Sequence, residues 1–302
     1  MTHLAESAIR TAEARDAYLA APLHNATQEP HFRRTAEQLG QTFSKAGHGY
    51  VISETAGRIT GLASLWLPDF HPTHAWVGLS LHPDHLADDT ARQLLASQQE
   101  NARAAGRPHL WLSVREDYLP HLPDLSALGF REVHRTFGGG FHLNTWQAST
   151  RQLDTSLREQ GYTLTPAQKF QHDPRLQALY ELTRNDKISA APTIPEASDT
   201  LTDGDALWNA AWLAWHGETL VGLALPEKSC LDAWNAVLIV HPQHRRRGLA
   251  TALLAQVART LQSQGITFLN TAGSQRDAAY LGVLRRLGAN IEPDWIAWER
   301  EA

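Results

Sequence analysis

The chain has 302 residues, 42 % hydrophobic and 20 % charged, with a net charge of −5. That length allows one large domain or two of ordinary size, and the composition is that of a globular protein able to bury a core. The acidic balance argues against a broad polyanion-binding face, so no nucleic-acid partner is expected. Cys230 is the only cysteine, so no intrachain disulfide can form. This fits a reducing compartment. The first twenty-odd residues lack an apolar stretch of the signal-peptide kind, and no apolar run reaches the ~18 residues of a membrane span. A cytoplasmic protein with no membrane partner is expected.

The sequence repeats itself. Leu81-His82-Pro83-Asp84-His85 matches Val240-His241-Pro242-Gln243-His244 at an offset of 240 − 81 = 159. The same offset carries Leu94-Leu95 onto Leu253-Leu254, Gly106 onto Gly265, Leu110 onto Leu269 and Leu128-Gly129 onto Leu287-Gly288. Ile59-Thr60-Gly61-Leu62-Ala63 resembles Leu220-Val221-Gly222-Leu223-Ala224 at nearly the same spacing. Aligned anchors in one order indicate duplication, with each copy close to ordinary domain size. The expected domains are 1–150 and 151–302, joined in the polar stretch Gln147 to Glu159.

In the second copy, Tyr162 to Leu164 reads as a short strand, and Asp173-Pro174 opens a helix. Ala211 to Ala224 reads as a hairpin turning at Gly217. Trp234 to Val240 is a strand, and its apolar run Ala236 to Val240 predicts cover on both faces. A helix starts near Gly248, with Ala250, Leu253, Leu254, Val257 and Leu261 on one side, and stops at Gly265. Ile266 to Asn270 is the next strand, Asp277 to Leu287 a further helix, and Trp295 to Trp298 a last strand. The first copy follows the same order, with Phe141 to Leu143 as its added last strand. Gly138-Gly139-Gly140 reads as a hairpin turn or bulge. The fold class is α+β, with a mixed, mostly antiparallel sheet flanked by helices in each domain.

Arg245-Arg246-Arg247-Gly248-Leu249-Ala250 lies between the apolar strand and the amphipathic helix. A helix start has backbone N–H groups without intrahelical partners, and the macrodipole makes it positive. A phosphate suits that position. Gly248 and Ala250 keep bulk away, and the arginines add charge.

Strand, Val-x-Pro, Arg-x-x-Gly-x-Ala, then Ala-Leu-Leu on a helix resembles the acetyl-CoA-binding motif of the GNAT acetyltransferase superfamily. The resemblance implies two GNAT-like domains in tandem, the second holding acetyl-CoA as co-substrate. Arg245, Arg246, Arg247, Gly248, Leu249, Ala250 and Thr251 would bind the pyrophosphate. Leu238, Ile239 and Val240 would line the pantetheine. Asp277 stands where the family often has a cofactor-contacting asparagine, and Asn270 lies near the same cleft. The implied activity is N-acetyl transfer to a small-molecule amine acceptor. Where many members have a catalytic glutamate, fourteen residues before the glycine, this chain has Trp234. Asp232, two residues earlier on the same strand face, is then the candidate base. Where a tyrosine is frequent, the chain has Leu284. Tyr280, one turn earlier, is the candidate acid. These departures keep a second function open, a non-catalytic acetyl-CoA-binding sensor or scaffold.

In the first copy, Leu86, Ala87, Asp88 and Asp89 stand opposite Arg245 to Gly248. One carboxylate facing one phosphate charge at ~4 Å is repulsive by about 4 kcal/mol at an effective dielectric of ~20. The first domain is therefore expected to be degenerate and not to bind acetyl-CoA in this way. His-Pro-x-His at His71–His74, His82–His85 and His241–His244 reads as turn residues at strand ends. No metal is expected from it, because proline breaks the helical presentation and no cysteine or glutamate cluster accompanies it. The sequence leaves a homodimer open, and the short stretch after Gly288, with room for one clear strand, leaves the second copy's sheet to be finished by the first.

Overall fold

The computed structural model describes residues 8–28, 33–45, 48–87, 89–186, 188–189, 192–194, 201, 205–229 and 232–302. Cys230 and Asp88 fall outside these residues. Among the described residues, no helix is long and apolar enough to cross a membrane. The chain forms two compact units. One is Met1–Arg135, Pro192–Pro195 and Pro293–Ala302; the other is Thr136–Ala191 and Glu196–Glu292.

The first unit contains β1 (Ala8–Thr11), α1 (Ala17–Ala26), α2 (Ala36–Phe43), β2 (His48–Thr55), β3 (Arg58–Trp66), β4 (His74–Leu81), α3 (Thr90–Ala104) and β5 (His109–Arg115). Most of β6 (Arg131–Phe137) also belongs to it. The second unit follows with β7 (Gly139–His142), α4 (Arg151–Glu159), β8 (Tyr162–Pro166), α5 (Pro174–Thr183), β9 (Trp212–His216), β10 (Thr219–Lys228) and β11 (Ala233–Val240). It continues with α6 (Leu249–Ser263), β12 (Phe268–Asn270), β13 (Gly273–Ser274), α7 (Ala278–Arg286) and β14 (Asn290–Ile291). The last strand, β15 (Trp295–Glu301), returns to the first unit.

Strand order in the first unit is β1-β2-β3-β4-β5-β15-β6, and in the second β14-β7-β12-β11-β10-β9-β8. In each sheet one pair is parallel, β4 with β5 and β11 with β12, and the other registered pairs are antiparallel. This is the α+β class expected. Leu94 and Leu95 on α3, and Leu253 and Leu254 on α6, are all fully buried. The repeated glycines have the same cause in both units. A Cβ on Gly61 would lie 2.6 Å from Leu94 Cδ1, and one on Gly222 would lie 2.9 Å from Leu253 Cδ1. Each glycine lets a helix leucine sit on the strand. His82 and His241 each accept a bond at Nδ1 from the backbone N–H two residues on, as turn-forming residues should.

Three expectations need correction. Trp295 to Trp298 does not close the second sheet, because β15 pairs along its length with β5, from Trp295 opposite Arg115 to Glu301 opposite His109. The strand expected to finish the first copy instead finishes the second, since Phe141 in β7 stands opposite Leu269 in β12. β7 thus lies in one sheet with β12, and β15 in one sheet with β5. The triple glycine stands at the start of β7. A Cβ on Gly139 would lie 2.0 Å from the Asn290 carbonyl oxygen, and one on Gly140 would lie 2.2 Å from that of Leu269. Bare backbone is needed for β12 and β14 to close on β7. Finally, the polar stretch taken as a linker is largely helix α4, with Leu157 buried in the second core.

One feature of the first unit predicts its acid sensitivity. His24, in the last turn of α1, has its pKa pushed down to about 4, by burial first and by the charge of Arg34 second. Unfolding returns it to the ordinary value near 6.5. The unfolded chain then binds the extra proton between these values, so stability is full above about pH 6.5 and falls as the pH drops toward 4. The contribution is at most about 3 kcal/mol at 1.36 kcal/mol per pH unit, less with solvent screening. His24→Gln should therefore flatten the fall in urea midpoint between pH 7 and pH 4.5. An unchanged slope would assign the sensitivity to other groups.

Candidate active site

The site grows from β11. Its pairing with β10 shifts between Leu225, opposite Val237, and Pro226, opposite Asn235, so Ala236 is an extra residue on β11. Such a bulge bends its strand and increases local twist. On the other edge, β11 pairs with β12 only at Ala233 and Trp234. From Asn235 to Val240 no strand among the described residues takes up that edge, and the two parallel strands diverge. Accordingly Ala236, Val237, Leu238 and Ile239 are only half-buried, not covered on both faces as their apolar character predicted. The fork leaves a row of extended backbone groups able to pair with an amide-bearing chain, in the manner of strand addition.

Two polar side chains hold the closed end. Asp232 Oδ1 accepts from Thr267 Oγ1 at 2.9 Å and from the Phe268 N–H at 3.1 Å. Asn270 Nδ2 donates to the Ala233 carbonyl at 3.2 Å. Both expected site residues therefore sit at the base of the fork.

Beyond the open end, the chain turns through residues 242–244 into Arg245 and reaches α6. Arg246 (φ +63°) and Gly248 (φ +92°) are both left-handed. The first helical bond runs from Ala252 N–H to the Gly248 carbonyl at 3.0 Å, so the N–H groups of Leu249, Ala250 and Thr251 precede it. No side chain caps this end. These are the features of an anion-binding helix start. Gly248 serves the backbone more than an approaching ligand. Its φ disfavours any side chain, and a Cβ there would lie 2.5 Å from Leu153 Cδ1 on α4. The three arginines are not equivalent. Arg245 donates from NH2 to Asp186 Oδ2 at 2.6 Å and from Nε to the Val240 carbonyl at 3.1 Å, so much of its charge serves the loop. Arg246 and Arg247 are exposed, with the Arg247 guanidinium 6.0 Å from the centre of the Tyr162 ring.

Tyr280 lies on α7 against the fork. Asp277 is the N-cap of this helix, its Oδ1 accepting from the Tyr280 N–H at 2.9 Å. Asp277 thereby fixes the turn that carries the tyrosine. The phenol oxygen accepts from Asn235 Nδ2 at 2.7 Å and shares a short hydrogen bond with Thr271 Oγ1. Burial raises the phenol pKa above its ordinary value, while the bonds from Thr271 and Asn235 oppose the rise. The phenol is thus protonated at neutral pH. Asn235 and Thr271 carry no motif in the sequence. The one available signal is Asn235 as a lone polar residue in the apolar run from Ala233 to Val240. It is 7 % exposed, and its Oδ1 has no hydrogen-bond partner among the described residues, an unmet acceptor where the β11–β12 pairing ends. Leu284 is fully buried core. Trp234, by contrast, is 39 % exposed.

Residues 176–288 match the family model described as Acetyltransferase (GNAT) family. This chain therefore carries a GNAT domain, and both of its sheets with their helices follow the tandem GNAT fold. Over its whole length it is similar to a GCN5-related N-acetyltransferase from Sphaerobacter thermophilus, with a TM-score of 0.62 and 17 % identity, covering 98 % of this chain and 95 % of that one. It is also similar to a tandem GNAT protein from the clavulanic acid biosynthesis pathway, with a TM-score of 0.51 and 17 % identity over 98 % of each chain. A glucosamine N-acetyltransferase region in a fungal multi-domain β-N-acetylglucosaminidase gives a TM-score of 0.58 at 11 % identity, covering 98 % of this chain and 38 % of that one. At these identities the likeness is one of fold. No curated protein matches the chain by sequence.

Proposed function

We propose that the protein is an N-acetyltransferase that moves an acetyl group from acetyl-CoA to a small amine. The observation that carries this reading is the Asn235–Tyr280–Thr271 network at the fork, beside an uncapped helix start of left-handed entry. A protein that only held acetyl-CoA would need the helix start and the open strand edge. The half-buried, protonated phenol with two fixed partners favours chemistry over binding alone.

The residues suit acetyl-CoA. The N–H groups of Leu249, Ala250 and Thr251, with Arg246 and Arg247, would hold the pyrophosphate. The edge along Leu238, Ile239 and Val240, whose last carbonyl already accepts from Arg245 Nε, would pair with the amides of the pantetheine arm. Bound there, acetyl-CoA supplies an activated acetyl thioester. With Asn235 and Thr271 both donating to the phenol oxygen, the Tyr280 O–H would be free to donate toward the departing sulfur. The Asn235 Oδ1 would accept a hydrogen bond from an N–H of the substrate, and the proton the amine sheds would pass to water. Asp232 and Asn270 keep β11 and β12 together below the fork and so set where it opens. Asp277 does the same for the first turn of α7.

The first unit is assigned no acetyl-CoA. Its helix α3 starts from Asp89 at φ −78°, without the left-handed entry of Gly248. Binding should therefore saturate at one acetyl-CoA per chain. Thiol release from acetyl-CoA, assayed across amino sugars, polyamines, amino acids and short peptides, tests the activity. Turnover with at least one class supports it. Tight binding with no turnover across that panel would assign the protein as an acetyl-CoA sensor.

A further inference from the structure

We propose that the first unit holds a divalent metal ion, zinc in the first place, on His74, His109 and Glu299. These three residues begin β4, begin β5 and lie near the end of β15, which are neighbouring strands. His74 and His109 are direct partners in the parallel pair β4–β5, and their rings stack with centroids 4.9 Å apart. Glu299 stands opposite Trp111, one alternation from His109, so all three side chains share a sheet face. One ligating atom from each lies within 4.8 Å of the other two.

The distances favour a shared cation over direct bonding. His74 Nε2 is 3.6 Å from Glu299 Oε2, and His109 Nδ1 is 3.7 Å from Glu299 Oε1. Both exceed a normal hydrogen bond. They run to different carboxylate oxygens, so the carboxylate faces both imidazoles, and one ligating atom from each residue would close by small side-chain shifts onto an ion with bonds of ~2.0–2.1 Å. His74 Nε2 and His109 Nδ1 are buried and have no hydrogen-bond partner among the described residues. His74 and Glu299 are themselves 5 % and 7 % exposed. The other nitrogen of His74, Nδ1, is 2.9 Å from Thr73 Oγ1, an outer contact that fixes the ring and leaves Nε2 for the metal. Arg131 donates to Glu299 Oε1 at 3.1 Å, which orients the carboxylate and leaves Oε2 toward His74. His71, stacked on His74 at 3.9 Å, is not a ligand, because its Nδ1 accepts from Trp76 Nε1.

Two imidazoles and one carboxylate suit zinc and its first-row neighbours and leave a fourth position for water. His109, whose side chain is 34 % exposed, gives a route from solvent. The ion would pin the chain's last strand to the middle of the first sheet. Its role is then structural, and it is independent of acetyl transfer.

Metal-free protein titrated with Co²⁺ tests this. One equivalent should give an intense visible band of tetrahedral Co²⁺, bleached by one equivalent of Zn²⁺. Zn²⁺ at about a hundred times its Kd should raise the thermal midpoint by about 5 °C or more. His109→Asn and Glu299→Gln should each lose the band and the thermal increment while keeping wild-type circular dichroism. If Glu299→Gln does not fold, His109→Asn decides alone, since that residue is partly exposed. No band from the wild type, or an equal band from the folded variants, would overturn the proposal.

Discussion

Tyr280→Phe should lower kcat by about 10²- to 10⁴-fold, the usual contribution of a positioned general acid. This corresponds to about 3–5 kcal/mol of activation free energy. The Kd for acetyl-CoA should change little, because the phenol meets the reacting end and not the diphosphate. The pH profile separates a chemical role from a structural one. The wild type requires the protonated phenol, and burial moves its pKa above the ordinary value of 10. Activity should therefore decline on the alkaline side only above pH 10 on account of this group, and the variant should lack that limb. The phenylalanine also leaves Asn235 Nδ2 and Thr271 Oγ1 without the phenol, at about 1–3 kcal/mol each if buried and unpaired. A thermal melt should show that loss and a protein still folded. Unchanged turnover in the folded variant would remove Tyr280 from the chemistry.

Ala250→Asp should weaken acetyl-CoA binding by at least about 10²-fold. A carboxylate in the first turn of α6 meets a diphosphate held by the same N–H groups. One such pair at ~4 Å is unfavourable by about 4 kcal/mol at an effective dielectric of 20, before salt screening. The same substitution favours the helix, because a negative charge in the first turn interacts well with the macrodipole, typically by 0.3–1 kcal/mol. Fold and ligand are thereby moved in opposite directions. Gly248 cannot separate them, since its left-handed φ and the Leu153 contact make any side chain a folding defect as well. Isothermal titration at two salt concentrations, beside a urea melt, reads both effects. Undiminished affinity in Ala250→Asp would mean that the diphosphate does not bind at this helix start.

Much of the fold was legible because it rests on local periodicity. The leucines of α6, the glycine stops at Gly265 and Gly288 and the hairpin turn at Gly217 all follow from neighbours along the chain. The repeat was legible too, since both units need the same glycine beneath the same helix leucine. The proposed phosphate loop lies in one short segment, next to its helix in the sequence.

The sequence by itself determined the two-copy α+β plan and the place of the glycine-led helix start at Gly248, with no such glycine at the matching position of the first copy. Tertiary structure decided that β15 joins the first sheet and β7 the second, where close backbone approach at Gly139 and Gly140 needs bare glycine. It also decided that Tyr280 meets Asn235 and Thr271, and that His74 and His109 meet Glu299, 190 residues beyond the second of them (299 − 109). Side chains that converge from distant strands leave no periodic trace, since their spacing in sequence is set by loops and not by the geometry of the site.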